Sequence, residues 1–203
     1  MSVSRTINGA LRKVPPWAVY IVAVLWVGRL FYFGLTGGLG VEPINTLERA
    51  YGELGLKLLV LGLLVTPLRK WTGVNLLKFR RAIGVTAFFV IVAHFVVWAV
   101  LDVQTLDRVW QDILKRPYVT VGMTAFLMMV PLAATSNNLS VRKLGPLRWR
   151  KLHMLTYPAA ILGAVHYLWL VKGFQISPIV YLFVILGLIA MRYVTRNCHR
   201  QPA

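Results

Sequence analysis

The sequence predicts an all-α fold: a polytopic membrane bundle of six transmembrane helices with both termini in the cytoplasm. Three observations carry that reading. The 203 residues are 58% hydrophobic and only 14% charged, whereas about a quarter of the residues in a soluble domain are charged. Six apolar stretches recur along the chain, each near the roughly 20 residues a helix needs to cross a bilayer core. All six acidic residues fall on one side of the layout these stretches define.

The stretches run over residues 17–36, 50–68, 82–101, 117–135, 152–171 and 176–194. Irregular backbone and open sheet edges cannot face lipid, so each is read as a helix. The first is too long for a signal-peptide core and has no small-x-small cleavage site, so it is expected to be retained. Residues 1–15 then form a cytoplasmic N-terminal segment, 16–194 the six-helix domain, and 195–203 a cytoplasmic tail. No internal repeat is apparent.

Charge sets the expected orientation. Arg5, Arg12 and Lys13 precede the first helix, and Arg69, Lys70, Lys78, Arg80 and Arg81 fill the loop between the second and third. Arg142, Lys143, Arg148, Arg150 and Lys151 fill the loop between the fourth and fifth, and Arg192, Arg196 and Arg200 follow the sixth. Glu42, Glu48, Glu53, Asp102, Asp107 and Asp112 lie on the opposite side. The positive-inside rule places the basic loops in the cytoplasm. The net charge of +17 is thereby explained by topology and anionic lipid, and nucleic acid is not needed as a partner.

Three histidines lie in or beside apolar segments: His94, His153 and His166; the fourth, His199, is in the basic tail. An ionisable side chain at membrane depth is a functional candidate, and histidine is a common axial ligand of haem iron. His94 lies thirteen residues past Arg81, about 20 Å along the third helix, and His166 fifteen residues past Lys151, about 22 Å along the fifth. Both helices run outward, so the two rings reach nearly one level in the outer half of the membrane. The alternative is an interhelical hydrogen bond for each ring, worth about 0.6 kcal/mol. The matched depth favours axial ligation of one haem, and Gly163, one turn before His166, leaves room for a porphyrin face.

His153 sits at the cytoplasmic edge, about 20 Å from His166 and about 140° away around a straight helix. Pro158, between them, is expected to be able to kink the helix. A helix-3 partner for His153 would stand where Arg80 and Arg81 are. Its role stays open between an interfacial polar residue, an alternative ligand, and part of a flavin or quinone site.

The helix-3 pattern R-R-A-I-G-V-T-A-F-F-V-I-V-A-H ends at His94. The run R-K-L-G-P-L-R-W-R-K-L-H-M-L-T-Y, followed by H-Y-L-W, carries His153 and His166. With G-G-L-G-V-E-P-I, L-L-V-T-P-L and R-P-Y-V-T-V-G, the chain from about residue 37 to residue 193 resembles the MsrQ (YedZ) family. These are haem-binding membrane subunits of bacterial MsrPQ methionine sulfoxide reductase systems, in the ferric-reductase-like transmembrane superfamily with the NADPH oxidases. The resemblance implies haem b and FMN, residence in the bacterial inner membrane, and electron delivery to a periplasmic molybdopterin enzyme, MsrP, that repairs oxidised proteins. It maps the family's histidines onto His94, His153 and His166. The oxidase relatives carry two histidines on each of the two helices; this chain has one on the third, which leaves FMN to serve as the cytoplasmic-side carrier. Lys78, Arg80 and Arg81, with Arg148 and Arg150, are candidates for its phosphate, against ordinary positive-inside charge.

No C-x-x-C-H is present, so haem would not be covalently attached, and the single Cys198 cannot form an internal disulfide. No G-x-G-x-x-G follows a strand pattern, so a nicotinamide domain is not expected. Electrons must come from a flavin reductase or from membrane quinol. Without a catalytic triad or zinc motif, the chain reads as a conduit with no substrate-converting site of its own. The rivals are a membrane ferric or oxygen reductase, and a non-redox six-helix scaffold or transporter.

Arg29, about 20 Å along the first helix, is a candidate partner for a haem propionate, or it snorkels to the headgroups. Glu53 and Lys57 have the spacing of a helical ion pair. Leu106, Val109, Trp110, Ile113 and Leu114 share helical spacing, opposite Asp107 and Asp112. They predict an amphipathic helix that lies in the interface or beside a docked partner.

Overall fold

A computed structural model of the chain describes residues 3–171 and 173–198, with side chains up to residue 192. Most of the expected tail, with His199 and Arg200, lies outside the described residues. Among the described residues there are nine α-helices and no strand. They are α1 (Val3–Lys13), α2 (Ala18–Leu35), α3 (Pro43–Thr72), α4 (Arg80–Val96), α5 (Leu106–Lys115), α6 (Pro117–Ala134), α7 (Asn138–Leu152), α8 (Thr156–Leu170) and α9 (Ile176–Cys198).

Each of the six apolar stretches forms a helix, but not all to the expected length. Four helical runs are long and apolar enough to cross a membrane: Ala18–Leu35, Pro43–Thr72, Leu77–Val103 and Pro117–Ala134. The fifth stretch breaks at a 3-10 turn, His153–Leu155, which leaves α8 with 15 residues. The apolar part of the sixth spans Ile176–Arg192. Pro158 sits in the first turn of α8, where its missing N–H has no helical partner to lose. The 3-10 turn begins at His153 itself, so the two histidines do not share one continuous α-helix.

The second helix is longer than expected because Pro43 starts it and Gly73 stops it. Proline suits the first turn, and Gly73 adopts φ 75° and caps the Arg69 carbonyl with its N–H at 3.1 Å. The added first turns are polar, carrying Asn45, Glu48 and Arg49. The helical run of α4 continues into a π-helical turn, Val97–Val103. The basic loop between α6 and α8 folds as α7, interrupted at Gly145, whose φ of 74° precedes Pro146.

Two antiparallel hairpins, α3 with α4 and α6 with α8, form the centre, and α9 packs against α3 and α8. Small residues bring the helices together. A methyl at Gly55 would overlap Ile91 Cδ1, and Ala159, Ala160 and Ala164 of α8 are fully buried; such residues favour close helix approach in membranes. Helix α2 has no buried residue and is tied on by the Tyr51 hydroxyl, which donates to the Val27 carbonyl at 2.7 Å. Helix α1 was not expected as a helix. Asn8 Nδ2 donates to the Gly73 carbonyl, the Asn75 N–H donates to Asn8 Oδ1, and Lys78 Nζ donates to the Arg12 carbonyl. Large apolar side chains such as Phe89, Leu127 and Phe183 point outward, each more than 60% exposed. An exposed apolar belt of that kind is hard to keep in water and suits lipid.

All six acidic residues lie where α3 and α6 begin and α4 ends; the Arg69–Arg81 and Arg142–Lys151 clusters lie at the opposite end. These are called the acidic and basic ends below.

Candidate haem site

A cavity opens between the two hairpins toward the acidic end, and His94 and His166 both line it. Its walls include Gly52, Leu56, Phe95, Gly122, Phe126 and Gly163. The sequence brought the two rings to one depth; the structure brings them face to edge, with ring centroids 6.3 Å apart and planes at 75°.

Each ring is fixed in the same way. His94 Nδ1 lies 2.9 Å from the Glu48 carbonyl oxygen, and His166 Nδ1 lies 2.7 Å from that of Tyr118. A carbonyl only accepts, so both Nδ1 atoms carry the proton and both Nε2 atoms keep a lone pair. Metal-bound histidines characteristically donate their other ring N–H to such an acceptor, which fixes tautomer and orientation.

Glycines make room for the rings. A Cβ at Gly122 would stand 2.8 Å from His166 Nδ1, and one at Gly52 would stand 3.2 Å from His94 Nδ1. Gly163, singled out from the sequence, lines the cavity, where its nearest neighbour would be Leu56 Cδ1 at 3.7 Å. The sequence reading missed Gly52, Gly122 and the two carbonyls.

An imidazole bonds a metal at about 2 Å and its nitrogens lie about 1 Å from the ring centre, so two rings on opposite sides of one metal have centroids about 6 Å apart. The observed 6.3 Å fits. Among the described residues no group of three or more His, Cys, Asp or Glu side chains is placed to hold a metal ion. Two histidines alone suit an ion that brings its remaining ligands with it, as haem iron does.

At the basic end, His153 lines a second cavity with Lys78, Arg80, Arg81, Arg150 and Tyr157. Arg148 does not line it. Trp149 stacks on His153 at 3.9 Å, and its Nε1 donates to the Thr135 carbonyl at 2.8 Å. Thr135 Oγ1 donates to the Pro131 carbonyl at 2.6 Å and lies 3.0 Å from His153 Nε2. The hydroxyl has one proton, so Nε2–H is the donor to it. Arg81 Nη1 donates to Asn138 Oδ1 at 2.7 Å.

Other candidates lie apart. Arg29 is on the exposed face of α2, with its guanidinium 6.0 Å from the Trp26 ring and 5.2 Å from the Phe33 ring, and does not line the histidine cavity. Lys57 and Glu53 pair at 3.0 Å, and the Tyr181 hydroxyl also donates to Glu53, at 3.2 Å. Helix α5 turns Val109 and Ile113 onto the Trp98 cluster and leaves Leu106, Trp110 and Leu114 exposed.

Known proteins supply an independent test. Residues 51–164 match the family described as ferric reductase like transmembrane component. A Brucella anthropi protein named protein-methionine-sulfoxide reductase heme-binding subunit MsrQ is 40% identical over 188 residues, 92% of this chain and 85% of that protein. The protein of the same name from Brucella ovis is 42% identical over 177 residues, 87% of this chain and 80% of its own length. No solved structure matches. The matched region contains His94 and His153, and both relatives span nearly the whole bundle. The chain therefore belongs to the MsrQ family of membrane proteins, within the ferric-reductase-like transmembrane group.

Proposed function

We propose that this chain is a haem b electron-transfer subunit of a bacterial inner membrane. It passes electrons from the cytoplasmic side, or from quinol, to a periplasmic molybdopterin methionine sulfoxide reductase of the MsrP type. The observation that carries the reading is the facing pair His94 and His166, with both Nδ1 protons committed to backbone carbonyls and ring centroids 6.3 Å apart. The relatives' printed name, a heme-binding subunit of a protein-methionine-sulfoxide reductase, supplies the pathway; MsrP and FMN rest on the family resemblance.

Bound haem supplies a one-electron carrier that needs no proton transfer of its own. The chain's residues do the rest. His94 and His166 would hold the iron, and the Glu48 and Tyr118 carbonyls keep each ring from rotating. Leu56, Phe95 and Phe126 supply apolar wall, while Glu48, Arg49, Asp102 and Arg116 also line the cavity. The apolar part of such a wall shields an iron centre from solvent and tunes its potential.

In this reading all six apolar helices span, α8 and α9 included, with residues 16–194 as the domain and both termini cytoplasmic. The separation of acidic from basic ends supports it through the positive-inside rule. The basic-end cavity is then cytoplasmic. Its cations Lys78, Arg80, Arg81 and Arg150 and its aromatic residues Trp149 and Tyr157 fit the phosphate and ring of FMN.

The test is a visible spectrum of the purified protein, followed by reduction in inverted membrane vesicles. A low-spin b-type spectrum, reducible by NAD(P)H with an added flavin reductase, is expected. A colourless, well-folded protein would leave only a scaffold or transporter. A haem protein that reduces ferric iron or oxygen but not an MsrP-type acceptor would move the reading to the reductase rival.

A further inference from the structure

Resting on the haem reading, we propose that Gly52 and Gly122 are positioning residues, and that each forms a seat with the carbonyl four residues before it. The two seats aim His94 and His166 across the cavity, and the chain builds them as equivalent halves.

The geometry is the same on both sides. In the first hairpin the Glu48 carbonyl accepts from His94, and Gly52, one turn on, lies under the ring. In the second the Tyr118 carbonyl accepts from His166, and Gly122, one turn on, lies under that ring. One helical turn separates carbonyl and glycine in each case, so both face the same neighbour. The ring can reach the carbonyl only because no side chain stands between them.

The correspondence runs further along the cavity. Leu56 and Leu59 of α3 occupy the places that Phe126 and Met129 occupy in α6, at the same spacing from the seat glycine. Ile91 and Phe95 of α4 stand to His94 as Gly163 and Tyr167 of α8 stand to His166. All eight line the cavity. The structure thus shows a correspondence between the hairpins that the sequence hides. Beyond the shared glycines and histidines the matched residues differ in type, and at Glu48 and Tyr118 they can, because the backbone carbonyl is the same under either side chain.

The seats are not equally tight. A methyl at Gly122, 2.8 Å from His166 Nδ1, forces the ring to move; one at Gly52, 3.2 Å from His94 Nδ1, asks for a few tenths of an ångström. Gly62 on α3 provides the control, since its Cβ would meet only Ile83 Cγ2 at 3.8 Å.

The experiment compares Gly122→Ala, Gly52→Ala and Gly62→Ala in the full chain, purified in detergent. It reads haem per protein, the electron paramagnetic resonance of the oxidised form, and the midpoint potential. Changing an outer partner of a metal ligand typically weakens metal binding about 10–100-fold. Gly122→Ala should therefore lose haem affinity about tenfold or more. Gly52→Ala should keep haem but shift the resonance positions and the potential, and Gly62→Ala should match the parent. If Gly122→Ala does not fold, the Gly52→Ala shift alone decides. Seat variants that match Gly62→Ala in haem content, resonance and potential would overturn the proposal. His94→Ala and His166→Ala, run alongside, separate the two ideas: loss of haem there with silent glycine variants sinks the seats only, whereas retention there sinks the axial assignment beneath them.

Discussion

The two ends of the bundle use histidine in opposite ways. At the acidic end two rings that line a shared cavity spend Nδ1–H on carbonyls and keep a lone pair on each Nε2. At the basic end a single ring spends Nε2–H on Thr135 and lies flat against Trp149. The opposing hairpin supplies cations there, Arg80 and Arg81, rather than a second ring. A neutral imidazole has one donor and one acceptor nitrogen, so its hydrogen bond decides which atom it offers. The first arrangement is two-sided and suits an axial pair. The second is one-sided and suits an anionic ligand or a contact within the protein.

The largest effect that would test this contrast comes from the axial pair. His94→Ala or His166→Ala should abolish the low-spin haem spectrum while the protein still inserts. His94 and His166 are the two histidines that line the cavity, so an alanine at either would leave one ligand position unfilled and one backbone carbonyl without its donor. Purification of each variant with absorption spectroscopy checks it. Full haem retention in both variants would remove the axial assignment and leave each ring as a hydrogen-bond donor to its backbone carbonyl.

How much of this was legible beforehand follows from where each signal lives. Helices show in sequence through length and apolarity, so all six stretches were found. Their ends were set by local features with no period: Pro43 and Gly73 at α3, and the turn at His153–Leu155. The histidines were legible because a polar ring in an apolar run stands out. Gly52 and Gly122 were not, because glycine inside a membrane helix is common and carries no mark of what approaches it. The carbonyls of Glu48 and Tyr118 were invisible for a deeper reason: side-chain identity does not report a backbone acceptor. Arg29 looked suited to the site by depth along its helix, but depth says nothing of direction, and its guanidinium lies over Trp26 and Phe33.

A middle-sized effect is expected at the other end. His153→Ala should leave the spectrum of the axial haem intact and slow its reduction from the cytoplasmic side several-fold. The ring packs on Trp149 and lines the basic cavity, so its loss loosens that cavity without reaching His94 or His166. Stopped-flow reduction in inverted vesicles measures it. Finding two bis-histidine haems per chain, one of them missing in this variant, would mean that the ends are alike after all.

The smallest effect is the sharpest probe of the contrast. Thr135→Val removes the hydroxyl that accepts from His153 Nε2 but retains the Thr135 backbone carbonyl that holds Trp149 Nε1. The stacked tryptophan should therefore keep the ring in place. The variant loses two side-chain hydrogen bonds, the one accepted from His153 Nε2 and the one donated to the Pro131 carbonyl, so it should cost about 1 kcal/mol, at roughly 0.6 kcal/mol for each such bond within a membrane bundle. A small drop in thermal midpoint, an unchanged haem spectrum, and a reduction rate closer to the parent than to His153→Ala are expected. The variant also leaves Nε2 without its partner, so it tests whether that hydrogen bond alone keeps the ring from serving a metal. If a second low-spin signal appears in Thr135→Val, the basic end was a ligand site held closed by one hydroxyl. If none appears, the Arg80 and Arg81 side of the cavity decides the matter, because a lone imidazole facing cations has no opposite ring to complete an axial pair.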